Sequence, residues 1–396
     1  MSPAPDFDPL ASDDPAEALA AYGRLRTGCP VARSDAYGGF WALTRHADVV
    51  AAASDPRTFL SSVRAVVPSD PRGLRRPPPN FDAPDHTPYR RALDRTLQRA
   101  RVSRLEPRLR EHARRELAPM LAAGGGDVAQ EFGARFPAWV TAEWLNLPDD
   151  TAPELAATAT EWVRAWRRMD RAVVDETSGR MYAIARDLVE DRRRRPRPVT
   201  EDPASSLLSE RPGGEPLDPE HLVGALRQCL VVGMVAPPIL LGSICVTLSE
   251  DPHLQARLRA HPELLPAAVE EFLRLHTPYR GFARTVAHDV ELHGRRIVPG
   301  EPVTLVYAAA NRDPAVFDEP DAFVLDRPTI TEHLAFGRGR HRCAGMPLAR
   351  LALRVALGEL LAGTSGLAVD GPTEGARMPE LGHVSVPLRV TPAAPH

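Results

Sequence analysis

The side chains best suited to chemistry cluster in one run, Phe336 to Gly345, which reads F-G-R-G-R-H-R-C-A-G. Gly337 and Gly339 stand where backbone must turn tightly or approach another group closely. Three basic residues, Arg340, His341 and Arg342, lead directly into Cys343, and behind it runs G-M-P-L-A-R-L-A-L-R-V-A-L-G-E-L-L with apolar residues at helical spacing. Cys343 therefore lies at the mouth of a helix, where amide N–H groups and nearby cations favour thiolate over thiol. A thiolate on such a loop is what an axial ligand to haem iron needs. A lone cysteine otherwise reads as a small buried hydrophobe. Spacing decides between the two.

Positioning these groups takes a sizeable frame. At 396 residues the chain can form one large domain or two, each with a buried core. A hydrophobic content of 43% and a formal net charge of -3 point to no nucleic-acid partner. No lysine occurs, which excludes a P-loop and any Schiff-base lysine mechanism. Cys29, Cys229, Cys245 and Cys343 show no C-x-x-C pairing and read as a reduced, intracellular set. Met1–Leu10 has neither the basic region nor the apolar core of a signal peptide or membrane anchor. Cys229–Leu248 is long enough to span a bilayer, but it contains Gly233, Pro237, Pro238 and Gly242 and reads as a buried core helix.

Residues 1–20 read as a loose lead and 21–396 as one domain, with no repeat and no composition break between them. The pattern predicts a short strand at Phe40–Thr44 and a short helix at Arg45–Ala53. Residues 60–85, with Pro77-Pro78-Pro79 in the middle, predict a long loop of the kind that serves as a substrate lid. Thr87-Pro88 supplies an N-cap and first-turn proline, so His86 and Arg90, four apart, project from one helix face. An exposed basic face is the alternative there. Helices are predicted over Arg99–Leu121, Asp127–Leu147, Glu154–Met169, Ser178–Asp191, Pro219–Leu248, Pro252–Ala260 and Pro262–Leu275. Arg192–Arg195 reads as a solvated helix end. Glu271 and Arg274 are three apart, a spacing common on any helix surface. Residues 283–306 alternate around H-G-R-R-I-V-P-G and predict a small sheet with a hairpin, and H-V-S-V-P-L-R-V predicts a closing strand.

Phe336, Gly339, His341, Cys343 and Gly345 match the pattern F-x-x-G-x-[HR]-x-C-x-G at every fixed position. On that motif the chain resembles the cytochrome P450 family, from about residue 20 to its end. H-T-P-Y-R at 86–90 and E-F-L-R at 271–274 resemble the family's H-T-x-x-R and E-x-x-R, in the family's order. The resemblance implies a mainly α, single-domain cytochrome P450 fold with small β-sheets. It implies haem b, with Cys343 as the iron ligand in a loop that includes Phe336, Gly337 and Gly345, and dioxygen as co-substrate. His86, Arg90, Arg284 and His341 would face the haem propionates, since arginine and histidine suit carboxylates as charge-assisted donors. Glu271, Arg274 and Arg327 would form a buried ion network. Gln228, Val232, Gly233, Val235, Ala236, Arg280, Phe282 and Val384 would line the substrate pocket. The soluble bacterial type implies a cytoplasmic monomer without a membrane partner, served by ferredoxin and ferredoxin reductase and tailoring a secondary metabolite.

One stretch departs from the family. Its long helix normally carries A-G-x-[DE]-T-[TS], whereas this chain has Val232-Gly233-Met234-Val235-Ala236-Pro237. Val235 and Ala236 replace the acid and alcohol that ordinarily position water and pass protons, and neither can carry one. Pro237 and Pro238 lack N–H groups, so the carbonyls of Gly233 and Met234 lose their helix partners and a kink is expected. Gln228 and Arg280 hint at a polar substrate. The leading function is oxidation of a small polar natural product, by hydroxylation or by hydrogen abstraction leading to coupling, for example of a cyclic dipeptide or aromatic molecule. A substrate N–H would then help to deliver protons. The alternatives are a peroxide-driven peroxygenase and a non-catalytic haem-binding protein. Fatty-acid peroxygenases also lack the pair but carry Arg-Pro at this place, where this chain has no arginine.

Overall fold

Asp14 caps the first helix, its carboxylate accepting from the amides of Ala16 and Glu17, and α1 runs Pro15–Gly28. Residues 15–20 are thus helical, where the sequence predicts a loose lead. The computed structural model describes residues 5–63, 66–67 and 75–393, so the expectations for Met1–Leu10 and for the 60–85 loop fall partly outside the described residues.

Strands β1 (Val31–Ser34) and β2 (Phe40–Leu43) follow, then α2 (His46–Ser54) and β3 (Phe59–Leu60). Helix α3 (His86–Thr96) begins at His86 itself, with Asp85 in the cap position and no side-chain cap bond, so Thr87 lies inside the helix. The predicted helix over Arg99–Leu121 is two, α4 (Arg99–Ser103) and α5 (Glu106–Ala122), with Pro107 in the first turn of the second. Residues Gly125–Asp127 form β4 and pair with the C-terminal strand, which delays α6 to Phe132–Leu145. Then come α7 (Thr151–Arg167), α8 (Arg171–Arg194), α9 (Pro203–Leu208), α10 (Pro219–Glu250), α11 (Pro252–Ala260) and α12 (Leu265–Leu275). The predicted sheet over 283–306 is β5 (Phe282–Val286), the β6–β7 hairpin (Val290–Leu292, Arg295–Ile297) and β8 (Pro302–Leu305). The chain closes with α13 (Tyr307–Ala310), α14 (Met346–Gly363), β9 (Thr364–Val369), β10 (Glu374–Gly375), β11 (His383–Ser385) and β12 (Pro387–Pro392).

The largest sheet has the order β1-β2-β8-β5-β3, and a second runs β4-β12-β9. Strand β1 is short and half polar (V-A-R-S), which is why hydrophobic alternation did not reveal it. The helices carry the main core around α10, which packs on α6, α7, α8 and α14. Its 32 residues are apolar enough to cross a membrane by composition, but most of that stretch is buried against its neighbours. Helical geometry runs unbroken through Pro237 and Pro238. Gly133 makes this possible from the other side, since a Cβ there would lie 3.1 Å from the Pro238 Cα. The prolines cost the Gly233 and Met234 carbonyls their helix donors without breaking the helix.

Candidate active site

The Cys343 loop is shaped by backbone contacts before any side chain acts. The Gly337 amide donates to Leu334 O and the Cys343 amide to Phe336 O, each at 2.8 Å. Gly337 and Gly339 adopt φ of +68° and +71°, and a Cβ on Gly339 would fall 2.1 Å from the Ala53 carbonyl oxygen at the end of α2. Only glycine fits there. Gly345 follows as the cap residue of α14, and the Phe336 ring lies 5.1 Å under the Arg350 guanidinium. The Cys343 side chain is accessible although protein surrounds it. Burial pushes its thiol up, and the Gly345 and Met346 amides with Arg90 and Arg342 only partly oppose this. The amides and cations that the sequence expects to favour thiolate are in place, and burial works against them. A bound metal deprotonates such a thiol outright.

Four basic residues converge beside the loop. His86 is buried, and its ring meets the His341 ring edge-on at 4.6 Å. Burial, then the charges of His341, Arg90 and Arg340, push His86 down to about 4. Arg90 donates from Nε to Asp94 at 2.8 Å and from Nη1 to the carbonyls of Arg340 and Arg342. His341 Nε2 lies 3.3 Å from Asp82 Oδ1, and burial lowers its pKa. Arg284 is buried on β5, and its Nη1 donates to Ala283 O at 2.8 Å. Among the described residues it has no carboxylate partner.

Asp82 and Tyr307 belong to this edge and were missed. Burial would raise the Asp82 carboxyl, but bonds from His341 and from Ser62 and Ser61 overcome it and hold the group well below the usual range. Asp82 thereby ties the start of the 60–85 loop to the Cys343 loop. Its place four residues before His86 was the available signal. The Tyr307 hydroxyl lies against Gly337, where a Cβ would meet it at 3.1 Å, and it interacts with Arg284. No motif marks that tyrosine.

Midway along α10 one stripe is exposed among buried neighbours. Val232 is 52% exposed although it sits mid-helix, and Gln228, Gly233 and Ala236 are half-buried near it. Gln228, Val232 and Ala236 lie four apart, so they share a face. Val235, three residues after Val232, is buried. Gly233 packs on α6, where a Cβ would stand 3.1 Å from Thr141 Oγ1. Phe282 is half-buried between Tyr279 and Tyr307, with ring centroids 5.0 and 6.2 Å away. Val384 packs on Ile239 of α10. Arg280 is elsewhere: it is buried, and it donates to Glu380 O at 3.1 Å and to Pro9 O at 3.0 Å. The sequence expectation that it lines the pocket is corrected, because the backbone carbonyls of the N-terminal segment and the 376–382 turn claim its guanidinium.

Glu271, Arg274 and Arg327 form a closed network away from the stripe. Arg274 donates to both Glu271 oxygens at 2.8 and 2.7 Å, Arg327 Nε to Glu271 Oε1 at 3.1 Å, and the Val324 amide to the same oxygen at 2.9 Å. The remaining guanidinium groups bond the carbonyls of Asn311, Pro320 and Ala322.

The donor set fits a haem. A soft sulfur lies on an amide-lined loop, and a buried arginine without a described carboxylate, two histidines and a second arginine stand at one edge for the two propionates. A family model described as "Cytochrome P450" matches residues 244–363. The mycinamicin IV hydroxylase/epoxidase of Micromonospora griseorubida is 33% identical over 370 residues, covering 91% of each chain. The vitamin D(3) 25-hydroxylase of Pseudonocardia autotrophica is 34% identical, covering 88% of this chain and 87% of that one. The structure of cytochrome P450 CYP109Q5 from Chondromyces apiculatus superposes with a TM-score of 0.87 at 29% identity, over 98% of this chain and 99% of that one.

Proposed function

The chain belongs to the cytochrome P450 family, and from that premise we propose that it oxidises a small, polar natural product whose own N–H or O–H takes part in proton delivery. It is a monooxygenase that uses haem b and dioxygen. Bound haem supplies reductive activation of dioxygen and insertion of one oxygen atom into the substrate. Cys343 Sγ would hold the iron, and Arg284, Arg90, His86 and His341 would hold the propionates. Val232, Ala236 and Phe282 would give the substrate an apolar wall, with Gln228 as the polar group on the same helix face.

The observation that carries this proposal is the pair Val235 and Ala236. Valine is buried and alanine has no hydroxyl, so neither donates a proton or orders a water. Pro237 and Pro238 leave the carbonyls of Gly233 and Met234 without the amide donors a helix normally provides. These carbonyls accept only; a water on them needs a further polar partner, and a substrate N–H or O–H is the group at hand. General acid–base assistance is worth roughly 10²–10⁴-fold in rate. An analogue with that N–H or O–H methylated should therefore bind, shift the spin state, and divert reducing equivalents from product to hydrogen peroxide. Equal product per reductant from substrate and analogue would rule out the substrate as donor.

Electrons would come from a ferredoxin and its reductase, with the protein acting in the cytoplasm. A groove of about 330 Å³ beside the Cys343 loop is lined by Arg90, Arg338, Arg342 and Arg350, which suits an acidic partner. Arg342 is exposed on this face. Arg342→Gln should slow reduction by ferredoxin several-fold at low ionic strength, with the gap closing as salt rises. Reduction by dithionite should not change. A salt-independent loss, or one shared with dithionite, would place the partner elsewhere.

A further inference from the structure

Two adjacent carboxylates on α12 serve different partners. Glu271 is taken up by Arg274 and Arg327, whereas Glu270 reaches α14 and the segment leading into the Cys343 loop. Arg350 of α14 grips it bidentately, donating from Nε to Oε1 at 2.7 Å and from Nη2 to Oε2. The same guanidinium lies over the Phe336 ring, 5.1 Å from its centroid. His333 Nδ1 accepts from the Ala335 amide at 3.2 Å, so Nε2 carries the proton that goes to Glu270 Oε2, 3.1 Å away. One carboxylate therefore holds both the backbone that leads into Phe336 and the cation stacked on its ring.

Phe336 is in turn the residue whose carbonyl accepts from the Cys343 amide at 2.8 Å. Arg350 lies about one helical turn beyond Met346, whose amide bonds the Cys343 sulfur. Burial would raise the Glu270 carboxyl, but the bonds from His333 and Arg350 overcome it and hold the group below its ordinary value, so it is ionised at neutral pH. Glu270 and Arg350 thus form a pair of no net charge beside the loop, in which each masks the other. One-electron reduction of iron bound to Cys343 adds a negative charge there. An unmasked cation would favour that step, and an unmasked carboxylate would oppose it.

We propose that Glu270 is a positioning residue for the reduction step: it pins Arg350 on Phe336, cancels its charge, and so sets the reduction potential of iron held by Cys343. The inference rests on Cys343 as the iron ligand. Arg350 also lines the groove beside the loop that suits an acidic partner, so the test must not depend on docking.

Spectroelectrochemical titration of the haem-loaded protein with small mediator dyes meets that condition. At one fixed applied potential, Glu270→Gln should raise the ferrous-to-ferric ratio about threefold and Arg350→Gln should lower it about as much. Solvent at these side chains, 23% and 36% exposed, keeps the effect modest. Glu270→Gln combined with Arg350→Gln removes both charges and should return the ratio to that of the unmodified protein. Arg354→Gln is the control: it breaks the neighbouring pair between α14 and Glu106 and should change nothing. If Glu270→Gln does not fold, Arg350→Gln decides alone, because its side chain is the more exposed. Shifts of the same sign in the two single variants, or a double variant displaced further than either, would mean loosened packing and overturn the proposal. The carbon monoxide band of each protein separates the two readings. Its absence from the unmodified protein would overturn the ligand assignment and this inference with it, whereas a normal band with unchanged ratios would overturn this inference alone.

Discussion

Cys343→Ser is expected to abolish the long-wavelength Soret band that carbon monoxide gives with reduced thiolate haem, and to lose most of the haem. Sulfur is the only soft donor on the loop, and the Gly345 and Met346 amides are aimed at it. Burial pushes the free thiol up, so coordination must remove its proton, and a serine hydroxyl is far harder to ionise in the same surroundings. The loop itself should survive. Its shape depends on Gly337, Gly339 and the Cys343 amide bond to Phe336, none of which involves Sγ. The variant should thus be folded but nearly colourless. A variant that kept both the band and the haem would show that another residue holds the iron.

Glu271→Ala should yield almost no folded, haem-loaded protein. The carboxylate is 1% exposed and is the shared counter-charge of Arg274 and Arg327, themselves 0% and 4% exposed. Removing it leaves two buried guanidinium groups and the Val324 amide without their acceptor. Breaking a buried network in this way costs about 3–5 kcal/mol, a large share of the roughly 5–15 kcal/mol that holds a typical domain together. Burial would raise the Glu271 carboxyl, but Arg274, Arg327 and the Val324 amide overcome it and hold the group below its ordinary value. A lowered folded pKa means that this stabilisation is in place above the unfolded pKa and is lost as pH falls through the folded one. The variant's defect should therefore be full at neutral pH and shrink in strong acid. A soluble, fully loaded Glu271→Ala protein that only turned over slowly would give Glu271 a catalytic role.

Long segments with apolar residues at helical spacing were legible in the sequence. Helix α10 begins at Pro219, where the pattern places its start, and α11 matches its predicted span residue for residue. Short elements were hidden where tertiary pairing overrides local pattern. Asp127 reads as the start of a helix, yet Gly125–Asp127 pairs with β12, and Val31–Ser34 has no alternation to reveal it. The Cys343 loop was legible because its glycines are forced by contacts such as that with Ala53. The rest of the site was harder. Asp82 acts across 259 positions on His341, and nothing near Arg280 in sequence shows that Pro9 and Glu380 hold it. The protonation states of Cys343 and His86 depend on burial, which spacing alone does not report.

Restoring the pair decides whether the substrate compensates for the proton-carrying side chains that Val235 and Ala236 replace on α10. Val235→Asp with Ala236→Thr should be combined in one protein, and product formed per reducing equivalent measured for the true substrate and for its N–H- or O–H-blocked analogue. The restored pair is expected to rescue the analogue strongly, within the roughly 10²–10⁴-fold range of general acid–base assistance, and to change the true substrate little. Failure to rescue the analogue, or an equal gain for both molecules, would contradict the claim.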